Sequence, residues 1–177
     1  MAPGLQACRW PTAFLGSGKT VIVLESSRVN ERQRVSPKLA WAGDQGLILG
    51  GLVDRMRYTS SAMEYAEMLG TAVQILGGVR DHLAVDGILQ PWTPGQPPPA
   101  GDEGDYCTGV AVCMRYLLYA WQNNTDLHVE LAKPAYQQFI RTNAERVIAQ
   151  PSDCNTDEMA NLINDLAVLV TAIGMGL

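Results

Sequence analysis

The sequence predicts an all-α fold built from antiparallel helical hairpins, and three observations lead to this prediction. Apolar residues recur every three to four positions along most of the chain after residue 43. Two stretches, Ser61 to Glu64 and Asn155 to Glu158, have the form of a capping box, in which a short polar residue precedes a glutamate by three positions. Links between successive helices are short enough to turn the chain back on itself. An α/α barrel or toroid has this pattern, and a plain helical bundle is the alternative.

Composition limits the classes of partner. The chain has 177 residues, of which 47% are apolar, as expected for one globular domain. A net charge of −5 argues against a nucleic acid or an anionic membrane surface as partner. The longest uncharged apolar stretch, residues 166–177, is shorter than the roughly 20 residues of a membrane-spanning helix. The four cysteines have no metal-ligand spacing, so we predict neither a metal nor a cofactor.

Residues 1–40 are predicted to be an irregular N-terminal segment with a strand-like run from Thr20 to Glu25. They contain no apolar run long enough for the core of a signal peptide, and the localisation stays open. Gly16 to Thr20 end like a phosphate-binding loop, but Ala13 stands where the signature requires glycine. The β-like run also follows this loop, whereas a phosphate-binding loop follows a strand and opens a helix. We therefore expect no nucleotide binding.

Residues 41–177 are predicted to form the helical-hairpin domain, with five helices. Their expected positions are Asp44 to Tyr58, Ser61 to Leu83 with a loosening at Gly77-Gly78, Gly109 to Trp121, Pro134 to Val147, and Asn155 to Ile173. On the last helix, the residues expected to face inward are Met159, Leu162, Ile163, Leu166, Val170 and Ile173.

The connections predict how the helices pair. Residues 59–61 and 123–133 are expected to be short links, whereas the proline- and glycine-rich stretch 86–105 is expected to lack regular structure. Helix one then pairs with helix two, and helix three with helix four. In regular hairpins, helices one and three enter from the same direction, so the loops before them share one rim.

The segment from Trp41 to Asp54 carries the first candidate site. A carboxylate and an amide, Asp44 and Gln45, stand side by side where a loop enters a helix. Both can hydrogen-bond to sugar hydroxyls, and the Trp41 ring offers an apolar face for a pyranose. The residues alone are equally compatible with a structural role, in which Asp44 caps the helix and Trp41 belongs to the core.

Four short stretches follow one another along the chain: Trp41-x-Gly-Asp-Gln-Gly, Asp86-Gly-Ile-Leu89, Gly104-Asp-Tyr-x-x-Gly109 with Arg115-Tyr-Leu117, and Phe139-Ile-x-x-Asn143-Ala144. In this order they resemble glycoside hydrolase family 76, the endo-α-1,6-mannanases and their bacterial relatives. The resemblance covers about residues 39–150 and implies the C-terminal part of a six-hairpin (α/α)6 barrel. It departs at Thr108, where the family usually has lysine. The substrate-binding residues that it implies are Trp41, Asp44, Gln45, Asp86, Asp105 and Tyr106.

The residues that the family uses for catalysis have no counterpart here. Retaining hydrolysis needs two carboxylates, and the resemblance implies that these come from an Asp-Asp pair in the first half of the barrel. This chain has no Asp-Asp pair, and the region before Trp41 is too short for the family's first helices. No catalytic residue is therefore assigned.

The sequence thus predicts the C-terminal part of a family 76-like enzyme for α-1,6-mannan-type polysaccharide, from a partial gene, a split gene or a pseudogene. It is expected to keep substrate contacts but to be catalytically incomplete. The resembled family is usually secreted or on the cell surface. Part of a barrel leaves apolar helix sides in water, so self-association is expected as well. Two alternatives stay open: a non-catalytic helical interaction or scaffold module, and a divergent active glycosidase that uses Asp44 with Asp86 or Asp105.

Overall fold

The fold is mostly helical, as predicted. The computed structural model describes residues 14–15, 20, 22–23, 39–96, 107–152 and 159–177. The helices of this part are α1 (Ala42–Tyr58), α2 (Ala62–His82), α3 (Gly109–Asn123), α4 (Thr125–Leu131), α5 (Pro134–Ala149) and α6 (Met159–Gly174). Two antiparallel strand pairs accompany them, β1 (Phe14–Leu15) with β2 (Ile22–Val23) and β3 (Ala84–Val85) with β4 (Ile88–Leu89). None of the described helices has the length and hydropathy of a membrane span.

The predicted start of α2 is confirmed at its N-cap. The Ser61 hydroxyl accepts a hydrogen bond from the backbone N–H of Glu64, at 3.3 Å. The Glu64 carboxylate accepts a hydrogen bond from the Thr59 hydroxyl, at 2.7 Å, and Thr59 in turn accepts one from the Ser61 backbone. The Thr59 hydroxyl therefore links the Glu64 carboxylate to the Ser61 backbone N–H, which the carboxylate of a capping box binds directly. The second predicted box, at Asn155, lies outside the described residues.

Three local predictions were wrong. Helix α2 continues through Gly77-Gly78, because both glycines are buried and packing offsets their low helix propensity of about 1 kcal/mol each. A seven-residue helix, α4, occupies the expected link, since the Asn124 side chain caps it at Leu127. A hairpin, β3–β4, interrupts the stretch expected to be irregular. Its turn residues, Asp86 and Gly87, both have positive φ (52° and 79°), which suits a two-residue hairpin turn.

Helices α1 and α3 run parallel and lie close together. Near their starts, a Cβ added to Gly46 would lie 2.8 Å from the Cα of Cys113, so glycine permits the contact. Near their ends, the Tyr119 hydroxyl donates a hydrogen bond to the Asp54 carboxylate. Both helices therefore begin at the same end of the fold.

Helix α6 extends this layer on the other side of α3. Near its start, Asn164 accepts a hydrogen bond from the backbone of Ala111, at 2.8 Å. One turn from its end, the Thr171 hydroxyl donates to the carbonyl of Met114, at 3.0 Å. Helices α1, α3 and α6 thus form a layer of three parallel helices.

Helices α2 and α5 run in the opposite direction to their neighbours in this layer. The segment after α2 returns to the start of α1, where Ala42 donates a hydrogen bond to the Pro91 carbonyl at 2.8 Å. Arg146, near the end of α5, binds Asp165 near the start of α6. Helices α1 and α2 therefore form an antiparallel hairpin, as predicted. The predicted pairing of helices three and four was wrong, because the short helix α4 follows α3 and packs on it, whereas α5 packs mainly against α6. An apolar core lies between the helices. Its largest fully buried side chains include Leu49, Ile75, Leu76, Met114, Leu127 and Ile140.

The inward face predicted for α6 was wrong. Its buried residues are Asn164, Asp165, Val168, Thr171 and Ala172. Five of the six residues predicted to face inward are exposed, namely Met159, Ile163, Leu166, Val170 and Ile173, and Leu162 is partly buried. The helix is apolar on more than one side, so its apolar pattern does not decide which side is buried. Two hydrogen bonds with the backbone of α3 decide it instead: Asn164 accepts from the Ala111 N–H, and Thr171 donates to the Met114 carbonyl.

Burial predicts that Cys113 will be unreactive. It lies at the contact between α1 and α3, and burial raises the pKa of its thiol to about 12. Only the thiolate reacts readily, and a raised pKa lowers the thiolate fraction at every pH below 12. At pH 8 we expect iodoacetamide to modify Cys113 at least tenfold more slowly than the partly exposed Cys107. Both cysteines lie in the tryptic peptide 81–115, so tandem mass spectrometry of its fragments is needed to measure the two rates. Equal rates in the native protein would contradict the packing. Urea should remove the difference.

Candidate functional site

The starts of α1, α3 and α6 and the loops beside them form one end of the fold, which we call the rim. Two extended segments pair there, because Trp41 forms a β-bridge with Trp92. Ala40 and Thr93 strengthen the pairing: the Thr93 N–H donates to the Ala40 carbonyl, and the Ala40 N–H donates to the Thr93 hydroxyl. The loop after β4 is thus fixed against the start of α1.

Trp41 has a structural position at the rim. It is the N-cap residue of α1, and its partly buried ring lies against Gly43 and Gly109. A Cβ at Gly109 would also come within 2.8 Å of the Pro91 carbonyl, so the start of α3 needs glycine there. The tryptophan therefore joins the starts of α1 and α3, as the hairpin arrangement predicts.

The structure separates the two polar residues that follow Trp41. Asp44 is partly buried in the first turn of α1, two residues beyond the helix start, and is therefore not the N-cap. Gln45 is fully buried, and its Nε2 donates to the Trp41 carbonyl at 3.1 Å. In this arrangement Gln45 supports the loop that carries Trp41.

Of the remaining predicted site residues, the structure describes Asp86. Asp86 is exposed in the turn of the β3–β4 hairpin. Asn143 of α5 holds that hairpin, since it accepts from the Leu89 N–H and donates to the Gly87 carbonyl, each at 2.9 Å. Asp105 and Tyr106 lie outside the described residues.

A cavity of about 370 Å³ opens at the rim between the loop after β4, the starts of α3 and α6, and the end of α5. Its wall combines the apolar side chains of Trp92 and Pro91 with amide and hydroxyl groups. The polar side chains that line it are Gln90, Arg146, Ser152, Asn161, Asn164 and Asp165. The sequence reasoning had assigned none of these residues to the site.

Hydrogen bonds fix the acidic wall of this cavity. Asp165 is buried, and one of its oxygens accepts from the Arg146 guanidinium at 3.1 Å. The other oxygen accepts from the Ser152 backbone at 2.8 Å. Both oxygens are therefore engaged, which leaves Asp165 poorly placed to attack carbon or to deliver a proton. It is also the only acidic side chain among the described residues that line the cavity.

Asn164 holds the floor of the cavity. Its Oδ1 accepts from the Ala111 N–H at 2.8 Å, and its Nδ2 donates to the Cys107 carbonyl at 2.7 Å. These bonds satisfy two backbone groups at the start of α3. A signal for these residues was present in the sequence: Asn164 and Asp165 are adjacent polar residues within a mostly apolar helix.

The arrangement suits binding of a hydroxyl-rich molecule more than cleavage of one. Amide, hydroxyl and guanidinium groups beside an indole ring match the alternating polar edges and apolar faces of a sugar. Within the described ranges, no three His, Cys, Asp or Glu side chains lie together as a metal site. The segment 16–19, with most of the GSGKT stretch, lies outside the described residues, but β1 and β2 on either side of it pair antiparallel.

Comparisons with protein-family models, with curated proteins and with solved structures found no match for this chain.

Proposed function

We propose that this chain is the sugar-binding C-terminal part of a helical-hairpin glycosidase barrel related to glycoside hydrolase family 76, and that it holds α-1,6-mannan-type chains without cleaving them. The observation that carries the proposal is the rim cavity, where Trp92 stands beside several polar groups and Asp165 has both oxygens occupied. The parallel layer of α1, α3 and α6, with antiparallel partners α2 and α5, supports a barrel-like arrangement. In a closed barrel, this layer would be the inner one.

We expect no hydrolysis because the carboxylates that the structure describes near the rim are poorly placed for it. Retaining cleavage needs two carboxyl groups about 5 to 5.5 Å apart across the scissile bond. Asp165 is engaged by Arg146 and Ser152, and Asp86 lies in an exposed turn. The chain has no Asp-Asp pair that could match the catalytic pair of the resembled family.

The proposal predicts weak binding of α-1,6-mannan oligosaccharides that depends on Trp92. The Trp92 ring lines the cavity and can pack against a sugar ring, so Trp92→Ala should raise the dissociation constant about fivefold or more, whereas Trp92→Phe should retain most of the affinity. Isothermal calorimetry on the purified chain measures both. The matched control is Trp121→Ala, because Trp121 stacks on His128 at the far end of α3 and should leave binding unchanged.

The same preparation tests the two alternatives. Release of reducing ends from the oligosaccharide should stay at background. Robust turnover that is lost in Asp44→Asn or Asp105→Asn would establish a divergent active glycosidase and overturn the proposal. If the intact chain binds no oligosaccharide, or if Trp92→Ala and Trp121→Ala weaken binding equally, the rim is not a sugar site.

The scaffold alternative is favoured by one observation, the exposed apolar side of α6. This surface is apolar, unlike the polar wall of a sugar site, and is suited to contact with another protein.

A further inference from the structure

The exposed side of α6 carries a continuous apolar line, which we call the α6 stripe. It consists of Met159, Ile163, Leu166, Val170 and Ile173, whose exposed fractions lie between 44% and 76%. Their spacing repeats every three or four residues, so they follow one side of the helix for about 21 Å. The only charged residue of α6 is Asp165, which is buried and bound to Arg146 on α5. The stripe itself is uncharged.

A groove runs beside the α6 stripe, between α3 and α6. It has a volume of about 300 Å³. Residues Ala111, Val112 and Leu118 of α3 form one wall, and Ile163, Leu166 and Val170 of the stripe form the other. Its charged lining residue is Arg115, whose guanidinium lies over the Tyr116 ring at 5.8 Å. An apolar ridge and an apolar groove therefore lie side by side on the same surface.

The same surface continues onto α1. Leu47 is exposed and precedes Asp54 by seven residues, so both lie on one side of α1. Asp54 accepts a hydrogen bond from Tyr119, which follows the groove residue Val112 by seven positions on α3. Leu47, the groove and the α6 stripe thus belong to one face of the three-helix layer.

The size of this face is that of a protein interface. Helices in contact lie about 8 to 10 Å apart, so three of them over a length of about 21 Å present about 600 Å². Two such faces would bury about 1,200 Å², above the roughly 1,000 Å² expected of a specific interface. The helix at the edge of this layer, α6, is apolar on the side that faces away from α3 and α5, and a large exposed apolar surface of this kind marks an interaction site.

We propose that a second copy of this chain covers this face, with the α6 stripe of each copy lying in the groove of the other. A two-fold axis places the stripe of each copy opposite the groove of the other. A surface with a ridge beside a groove can therefore be self-complementary. The copies repel each other through a net charge of −5 each, but the stripe adds no charge to the contact. This inference depends on the packing of the helices and is independent of sugar binding.

Light scattering coupled to size-exclusion chromatography tests the proposal on the full chain between 1 and 200 µM, concentrations chosen to span about the micromolar range of modest dimers. We expect a dimer with twice the chain mass of 19.2 kDa. Leu166→Glu should raise the dimer dissociation constant at least tenfold, because a carboxylate would be buried at the centre of the contact. Ile173→Glu, at the most exposed position of the stripe, provides a second variant and should act in the same direction.

Ile148→Glu is the matched control, since Ile148 is equally prominent on α5 but lies away from the stripe. It should leave the dimer unchanged, and circular dichroism should show the same helix content in all variants. A wild-type chain that stays monomeric at every concentration would overturn the proposal. So would dimers unaffected by both stripe variants. Co-sedimentation with vesicles of phosphatidylcholine and phosphatidylglycerol, if lost in Leu166→Glu, would show that lipid covers the face instead.

Discussion

Replacing Asn164 with leucine is expected to lower the free energy of unfolding by about 2 to 5 kcal/mol. The two side chains have the same number of heavy atoms and the same branching, but leucine would leave the Ala111 N–H and the Cys107 carbonyl without their partner. Each unpaired buried backbone group costs about 1 to 3 kcal/mol. Urea denaturation followed by circular dichroism measures the change, and the slope of the transition shows whether unfolding remains two-state.

The control for this variant lies one turn earlier on the same helix. Asn161 is exposed, so Asn161→Leu should change the free energy of unfolding by less than about 0.5 kcal/mol. Equal losses in the two variants would mean that leucine disturbs α6 by itself. A loss below about 1 kcal/mol in Asn164→Leu would contradict the two hydrogen bonds at the start of α3.

Gly46→Ala is expected to destabilise the protein by about 1 to 3 kcal/mol, although alanine favours a helix. The added methyl group would lie 2.8 Å from the Cα of Cys113 and 2.9 Å from the carbonyl oxygen of Val112. Both are backbone atoms, so α1 and α3 must move apart, and overpacking of this kind costs about 1 to 3 kcal/mol. Thermal and urea unfolding measure the effect.

Gly51 on the same helix gives the opposite expectation. No atom lies within 4 Å of a Cβ added there, so Gly51→Ala should stabilise the protein by about 0.5 to 1 kcal/mol through helix propensity alone. A lower free energy of unfolding for Gly46→Ala and a higher one for Gly51→Ala would separate the effect of close packing from that of helix propensity. If both variants stabilise the protein, α1 and α3 do not approach as closely at Gly46 as the structure shows.

The sequence was most informative about helix positions. The first predicted helix ends at Tyr58 as the structure has it and begins two residues earlier than predicted, at Ala42. The Ser61 cap was identified from its spacing to Glu64, because capping depends on atoms only a few residues apart. Local signals of this kind can be recognised in the sequence because they do not depend on long-range packing.

Orientation and long-range pairing were harder to predict. Apolar residues occur on more than one side of α6, so the sequence did not show which side is buried. The buried side is the one where Asn164 and Thr171 hydrogen-bond to α3, and these bonds join residues 53 and 57 positions apart along the chain. The polar wall of the cavity was missed for the same reason, since Arg146 and Asp165 meet only after α5 and α6 pack. Asp86-Gly87 did carry a hairpin signal, but the many prolines and glycines that follow it favoured an irregular loop.

The parallel course of α1, α3 and α6 has an electrostatic consequence. Each helix has a macrodipole equivalent to about half a positive charge at its N-terminus, so three such ends at the rim place partial positive charge there in a protein of net charge −5. Asp44 is the acidic residue in the first turn of α1, and the first turns of α3 and α6 have none. The helix dipoles therefore contribute partial positive charge at the rim, while the opposite ends of the three helices concentrate partial negative charge. Salt should weaken this polarity at the exposed edge more than in the buried cavity wall.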